Sequence, residues 1–260
     1  MKTLFAGPFV GEFGWELFCW QGILRKYIEV NNFEKVIISG RNSTKFLYED
    51  FCDEYIIYEP DVYEPDSYFN RGKMTNIPQP PKGCTYIPYN HLVTHYNPIS
   101  GWSPKLKQSF IKYGKKIKTD IKVLIHARNT KGAATSTSIR NWNSNNFEKI
   151  VNHFSNIKFA SIGTKSASSH IKNTIDLRDI DVKNYMNSAD LIIGPSSGPI
   201  HLAALCGLNQ LTWCGKPYDI SNKKRYIEDW NPFNTKVEYI ISNDWNPSTK
   251  QIINKMENML

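Results

Sequence analysis

The residues best suited to chemistry form a short polar turn between a predicted strand at 191–193 and a predicted helix at 199–206. Pro199 suits the first position of a helix, and Gly207 suits the position just past its end. A helix N-terminus presents backbone N–H groups and a partial positive charge, so it suits an anion such as a pyrophosphate. A strand–turn–helix unit with serine caps is the simpler alternative. The candidate anion-binding residues are Ser196, Ser197, Gly198 and His201.

Basic residues follow a second predicted strand, at 122–127. Arg128 and Lys131 lie in the turn after this strand, and Arg140 precedes a predicted helix at 145–154. Guanidinium and ammonium groups form charge-assisted hydrogen bonds with phosphate oxygens, which is one role open to these residues. The alternatives are that Arg140 pins its loop and that Lys131 is a solvated charge.

Two acids occupy the turn after the first predicted strand, at 3–6. Glu12 and Glu16 lie among glycines in this turn, and the carboxyl ends of parallel strands form the ligand-facing edge of an α/β sheet. Alternatively, either acid stabilises the N-terminus of the following helix. The glycine spacing does not fit a dinucleotide-binding fingerprint, so no dinucleotide cofactor is expected.

Metal ligation is not expected. Asp179 and Asp181 form an Asp-x-Asp pair, which could hold a divalent cation on a diphosphate, but Asp181 directly precedes a predicted helix at 182–188 and suits its N-cap. The five cysteines are an odd number and widely spaced, so they predict buried free thiols and not a zinc site or a disulfide framework.

Continuous apolar strands alternate with helices along most of the chain, which predicts an α/β fold with doubly wound parallel sheets. A proline- and tyrosine-rich stretch interrupts this pattern. We therefore expect an N-terminal α/β domain at 1–118 with an irregular insertion at 59–104. A second α/β domain at 119–246 and a C-terminal helix at 247–260 are expected to follow.

The net charge is +8, and seven lysines lie between Lys105 and Lys122. Apolar residues in this segment fall mostly at helical spacing, which predicts an amphipathic helix with a basic outer face. That face is either simply solvated or a peripheral contact with an anionic surface. No apolar run is long enough to span a bilayer, and the N-terminus reads as a strand and not a signal peptide. We expect a cytoplasmic protein, not transmembrane, with peripheral contact with the inner membrane as an additional hypothesis.

The motifs resemble those of the bacterial heptosyltransferase family of GT-B glycosyltransferases. In that family a strand ends in Gly, Asp-Ser/Thr-Gly follows, and a His-Leu-Ala-Ala helix closes the motif. Ser197, Gly198 and His201 match it, whereas Ser196 stands where the family has Asp. The basic strand exit and an Arg-x-Trp at 140–142 are also similar to the family, and this similarity makes Arg128, Lys131 and Arg140 candidate partners of a diphosphate. The resemblance covers most of 120–215 and, more loosely, 3–25.

This resemblance implies two Rossmann-like domains facing a cleft. It implies inverting, metal-independent transfer of a sugar from a nucleotide-diphosphate sugar to a hydroxyl of a glycan or glycolipid, with the nucleotide sugar as co-substrate and no other cofactor. Glu12 is then the candidate base, with Glu16 second. The next donor loop would contain Gly163 and Thr164.

Two other functions stay open. The lysines and the aromatic-rich segment 58–102 suit a modified base in DNA or another polyanion as acceptor, because lysines follow phosphates and tyrosines stack on an extruded base. A sugar-nucleotide-binding module without catalysis is the non-enzymatic alternative.

Overall fold

The chain divides into two compact units, unit 1 at Met1–Phe110 and unit 2 at Ile111–Leu260. The domain limits expected from the sequence, with a division near residue 118, stay a prediction. The computed structural model describes five stretches of the chain, 2–62, 73–88, 108–130, 139–215 and 223–260.

Unit 1 contains a four-stranded parallel sheet with the strand order β3-β2-β1-β4. Its central strand β1 is buried along almost its whole length, as expected for a parallel sheet covered on both faces. The short strand β4 lies within the stretch predicted to be an irregular insertion. The strands are β1 (Thr3–Phe9), β2 (Lys35–Gly40), β3 (Glu54–Ile57) and β4 (Thr85–Ile87).

The turn after β1 leads into a helical stretch of three parts. Helix α1 (Phe13–Trp15) continues into a π-helical segment (Glu16–Trp20) and then into α2 (Gln21–Asn31). The left-handed residue Asn32, with φ 49°, ends α2. A 3₁₀ helix (Asn42–Leu47) occupies the region predicted as a helix at 43–50.

Unit 2 contains a six-stranded parallel sheet with the strand order β10-β9-β8-β5-β6-β7. The chain leaves β5 toward β6 and β7 on one side, and it leaves β8 toward β9 and β10 on the other. The neighbours β5 and β8 therefore flank the switch point at which open α/β sheets bind ligands. The strands are β5 (Ile121–Ile125), β6 (Lys158–Ser161), β7 (Ile175–Asp176), β8 (Leu191–Pro195), β9 (Asn209–Gly215) and β10 (Val237–Ser242).

The helices of unit 2 agree with the predicted ones. The C-terminal helix is confirmed: the Ser248 side chain accepts a hydrogen bond from the Gln251 amide, and Ile252 and Met256 enter the core of the unit. Trp142 also lies in this core, with its ring 5.0 Å from that of Trp213. The helices are α3 (Ser144–His153), α4 (Lys183–Ser188), α5 (Gly198–Cys206) and α6 (Thr249–Glu257).

The predicted lysine-rich helix is wrong over the described residues 108–120, which contain no helix. The backbone there bonds to neighbouring elements of unit 2: the Tyr113 amide donates to the Leu205 carbonyl at 2.8 Å, and Asn187 donates to the Tyr113 and Gly114 carbonyls. Gly114 has a φ of +75°, which an α-helix does not accommodate. Tertiary partners thus replace the i−4 bonds of a helix.

No helix in the described part of the chain is both long and apolar enough to cross a membrane. All five cysteines are free, and three of them, Cys19, Cys206 and Cys214, are buried.

Candidate anion-binding site

The serine turn, Ser196 and Ser197, lies at the switch point of the unit 2 sheet, between the end of β8 and the start of α5. Both residues are buried, and the Ser196 amide donates to the Trp213 carbonyl at 2.9 Å. Ser197 is the N-cap of α5, but its side chain makes no capping hydrogen bond. Gly198 and Ile200 have no i−4 partner within the helix, and Pro199 has no N–H at all. The turn therefore combines two hydroxyls with a helix N-terminus, as the sequence predicts.

The side chain of Ser197 contacts a histidine on the neighbouring strand. His126 follows β5, and its Nδ1 lies 2.8 Å from Ser197 Oγ. Burial, together with the nearby charge of Arg128, lowers the pKa of His126 to about 3, so the ring is neutral at pH 7. Gly163 packs against this ring: a Cβ there would lie 2.9 Å from His126 Cδ2, and its φ of +115° favours glycine.

No role was predicted for His126, which lies within the predicted strand at 122–127. Only the strand order could have indicated that His126 lies near Ser197, because β5 and β8 become neighbours only when the sheet is assembled.

The side chain of Ser196 contacts a tyrosine that sequence reasoning missed. Tyr226 lies in a π-helical segment (Arg225–Asp229), and its hydroxyl donates to Ser196 Oγ at 2.9 Å. The same hydroxyl is 3.2 Å from His201 Nε2, and the two rings stack with centroids 4.5 Å apart. His201 also meets Trp230 edge-on at 4.8 Å. His201 is thus held in place by two aromatic rings, one turn into α5.

Two arginines bring positive charge to this region. Burial, together with the charges of Arg225 and Arg140, lowers the pKa of His201 to about 3. Arg140 lies over the Trp245 ring at 5.6 Å, and Arg225 lies over the Trp230 ring at 4.7 Å. A cation–π contact with a tryptophan ring therefore holds each guanidinium in position. The sequence predicted Arg140 as a phosphate partner but not Arg225.

Arg128 is buried and held by its own loop. Its Nη1 donates to Asn141 Oδ1 at 3.0 Å, and its backbone forms an isolated bridge with Ser168. Asn141 also binds both the amide and the carbonyl of Thr130. Arg128 therefore joins the strand exit to the loop before α3. Lys131 lies outside the described residues.

The loop after β6 supports this strand exit. The Thr164 carbonyl accepts from Ser168 Oγ at 2.6 Å and from the Ala167 amide at 3.0 Å, which folds the loop back on itself. Thr164 is exposed, whereas Gly163 contacts His126. The structure therefore places Gly163 against His126, whose ring contacts Ser197, while the contacts of Thr164 shape the loop.

The Asp-x-Asp pair is engaged by neighbouring residues. Asp179 Oδ1 accepts from the Lys165 amide at 3.0 Å, and Asp181 Oδ1 accepts from the Lys183 amide at 3.1 Å. Asp181 also forms an ion pair with Lys183 at 2.9 Å. The N-cap of α4 is Val182, one residue later than predicted, but the carboxylate of Asp181 still binds the first amide of the helix. Among the described residues, no three His, Cys, Asp or Glu side chains come together as a metal site.

The two acids of unit 1 have different surroundings. Glu12 is partly exposed at the N-cap of α1, where its carbonyl accepts the Trp15 and Glu16 amides at 3.1 Å; its side chain makes no capping bond. Glu16 is fully buried: it binds Arg41 Nη2 at 2.6 Å and the Tyr48 hydroxyl at 2.8 Å. Burial and the Glu16 charge raise the pKa of Tyr48 well above its usual value. These contacts favour a structural role for Glu16.

Solved glycosyltransferases share this architecture. A glycosyl transferase family 9 protein from Veillonella parvula aligns over 100% of this chain and 90% of its own, with a TM-score of 0.56 and 11% identity. The E. coli ADP-heptose LPS heptosyltransferase II aligns over 100% and 98%, with a TM-score of 0.56 and 9% identity. The E. coli heptosyltransferase WaaC, solved with ADP, aligns over 99% and 97%, with a TM-score of 0.54 and 11% identity. This chain has their fold.

The resemblance predicted from the motifs is thereby confirmed at the level of fold. The two parallel sheets and the glycosyltransferase neighbours agree with the predicted fold class. No protein-family model matches the sequence, and no curated protein matches it either.

We expect acid to destabilise the protein, because two buried histidines are neutral in the folded state. In the unfolded chain a histidine titrates near pH 6.5, whereas His126 and His201 stay neutral down to about pH 3 in the folded protein. Between these values the unfolded state binds more protons, so the free energy of unfolding falls as the pH falls. We expect a loss of about 2 kcal/mol per histidine between pH 7 and pH 5. Urea unfolding at each pH measures it.

The variants His126→Gln and His201→Gln are each expected to reduce this pH dependence by about half, whatever their effect at pH 7. Ser155→Ala, a change at an exposed serine without a titratable side chain, is the control and is expected to leave the dependence unchanged. An unaltered pH dependence in both buried-histidine variants would contradict the assignment.

Proposed function

We propose that this protein is a glycosyltransferase that moves a sugar from a nucleotide-diphosphate sugar to an acceptor hydroxyl. One observation carries the donor half: the serine turn, with its hydroxyls bonded to His126 and Tyr226, lies at a helix N-terminus at the switch point of the unit 2 sheet. Neutral hydroxyl and amide donors bind phosphate oxygens there. The shared fold supports this function, because the similar solved proteins are named as glycosyltransferases.

The proposed reaction is a displacement at the anomeric carbon. The acceptor oxygen forms a bond to that carbon while the bond to the diphosphate oxygen breaks, and the nucleoside diphosphate leaves with the electron pair. Negative charge grows on the leaving group, where Arg140 and the start of α5 stabilise it, and Arg128 adds positive charge near His126. Attack opposite to the leaving group inverts the anomeric configuration. These groups supply the charge stabilisation that a metal ion would otherwise provide.

Glu12 is the proposed base, accepting the proton of the acceptor hydroxyl. It lies after β1 in unit 1, and its side chain makes no capping bond to α1. A GT-B arrangement, with the acceptor side in unit 1 and the donor side in unit 2, belongs to this proposal. A glycan or glycolipid is the proposed acceptor. The proposed setting is the cytoplasm, with the basic segment that follows Lys105 contacting an anionic surface.

The first test is a thermal-shift panel with UDP, GDP, ADP, CMP and dTDP sugars. A ligand at 100 times its Kd stabilises the folded state by about 2.7 kcal/mol, which raises the Tm by about 5–10 °C for a chain of this size. We expect this shift for one nucleotide class. Ser197→Ala should reduce it, whereas Ser155→Ala, a change at an exposed serine, should not. No shift with any donor would contradict the proposal.

The alternatives give different results in the same preparation. Retention on duplex DNA at low salt, lost as salt is raised, would support nucleic acid as the acceptor. Donor binding with neither hydrolysis nor transfer would indicate a sugar-nucleotide-binding module.

A further inference from the structure

Tyr226 contacts two of the polar side chains near the start of α5, those of Ser196 and His201. Its hydroxyl lies 2.9 Å from Ser196 Oγ and 3.2 Å from His201 Nε2. A phenol has one proton, so it can donate only one of these two bonds. Since Tyr226 donates to Ser196, the second bond requires His201 to donate from Nε2. The three groups then form a directed chain from His201 through Tyr226 to Ser196.

This direction decides what Ser196 offers to a ligand. Its oxygen accepts from Tyr226, and its backbone amide is already bonded to the Trp213 carbonyl. The serine proton is left to be donated onward. A carboxylate at position 196 would also accept from Tyr226, but it would present negative charge to the ligand instead of a proton. Serine therefore makes this position complementary to an anionic oxygen.

The surroundings of Tyr226 fix the position of its hydroxyl. The ring stacks on His201 at 4.5 Å and packs against the Tyr239 ring at 5.3 Å. Its backbone belongs to a π-helical segment closed by a 2.8 Å bond from the Trp230 amide to the Arg225 carbonyl. Such segments are frequent at functional sites. Because the ring is already ordered, the hydroxyl loses little freedom when a ligand binds.

The charge near this chain has the matching sign. Arg225 and Arg140 both act electrostatically on His201, and they come from separate elements of unit 2. Two cations and a donated hydroxyl proton in one place favour a ligand group with negative charge on oxygen. A diphosphate has this chemistry.

We propose that Tyr226 is a positioning residue that fixes Ser196 as a hydrogen-bond donor to a diphosphate oxygen of the sugar nucleotide. This role rests on the proposed glycosyl transfer. It makes Tyr226 the residue that orients the contact between Ser196 and the donor diphosphate. Arg225, the residue before Tyr226, adds positive charge to the same contact.

The test is a double-mutant cycle on binding. Tyr226→Phe keeps the ring and removes the hydroxyl, and Ser196→Ala removes the acceptor of its bond. Each variant is expected to weaken the binding of inorganic pyrophosphate and of the nucleoside diphosphate about 10-fold by calorimetry. Because both remove the same directed contact, the double variant should be no more than about 2-fold weaker than either single one. Tyr239→Phe, which alters the neighbouring ring, is the control and should bind like the wild type.

Turnover separates positioning from general damage to the structure. The KM for the donor is expected to rise about 10-fold in Tyr226→Phe, with the KM for the acceptor unchanged and the urea midpoint close to that of the wild type. Multiplying effects in the double variant, or wild-type binding by Tyr226→Phe, would overturn the positioning role while leaving the proposed function intact. A wild-type protein that binds neither pyrophosphate nor any nucleoside diphosphate would overturn both.

Discussion

Glu12→Gln is expected to lower kcat by about 10²–10⁴-fold while changing the Kd for the donor by less than about 2-fold. Glutamine has nearly the same shape as glutamate but cannot accept the proton of the acceptor hydroxyl. The N-cap geometry should survive, because the Glu12 carbonyl and not its side chain binds the α1 amides. Steady-state kinetics, together with calorimetry of donor binding, separates the two effects.

The matched control for this prediction is Glu49→Gln in the same unit. Glu49 is exposed and forms only a long surface ion pair with Lys45, at 3.8 Å. Surface pairs of this kind contribute about 0–1 kcal/mol, so both stability and turnover should stay close to those of the wild type. Full turnover in Glu12→Gln would remove Glu12 as the base. Equal losses in both variants would indicate a general effect of charge.

The strands of the sheet centres could be predicted from the sequence because they are buried on both faces. Seven strands are predicted, at 3–6, 35–39, 55–58, 122–127, 159–162, 191–193 and 210–213. All of them occur, including β5 and β8, which are almost continuously apolar. Three strands, β4, β7 and β10, were not predicted. Of these, β4 and β7 are three and two residues long and largely exposed. Neither their length nor their composition distinguishes them from loops. Each becomes a strand because it pairs with the backbone of its neighbour, β4 with β1 and β7 with β6.

The basic segment shows how tertiary contacts override a helical pattern. Its apolar residues fall near helical spacing, yet the Lys115 amide donates to Asn184 and the Ile117 amide donates to Ser188. Both partners belong to α4, far away in sequence. Spacing along one segment carries no information about such partners, so the pattern alone favours a helix.

The candidate site was predictable only in its local part. Ser197 and His201 follow from a strand–turn–helix pattern that lies within a few residues. Tyr226 is 30 residues from Ser196 and His126 is 71 residues from Ser197, so neither contact leaves a local sequence signal. No characteristic residue pattern marks the π-helical segment that contains Tyr226.

Glu16→Gln is expected to destabilise the protein by about 3–5 kcal/mol, the usual cost of breaking a buried ion pair by removing one of its partners. The variant removes the charge opposite Arg41, whose guanidinium is buried with Glu16. The hydrogen bond from Tyr48 becomes a weaker, neutral one. Urea unfolding measures the loss. A drop in turnover should follow the folded fraction and not the chemistry.

The exposed pair of Lys122 and Asp190, at 3.1 Å, provides the comparison. Asp190→Asn removes one charge from a solvated pair and should cost less than about 1 kcal/mol. If Glu16→Gln were equally mild but abolished turnover in a fully folded protein, the base would be Glu16 and not Glu12. The two acids are four residues apart, but Glu16 is fully buried and Glu12 is partly exposed. Glu16→Gln should therefore lower the stability without a direct effect on the chemistry, and Glu12→Gln should lower kcat without a loss of stability.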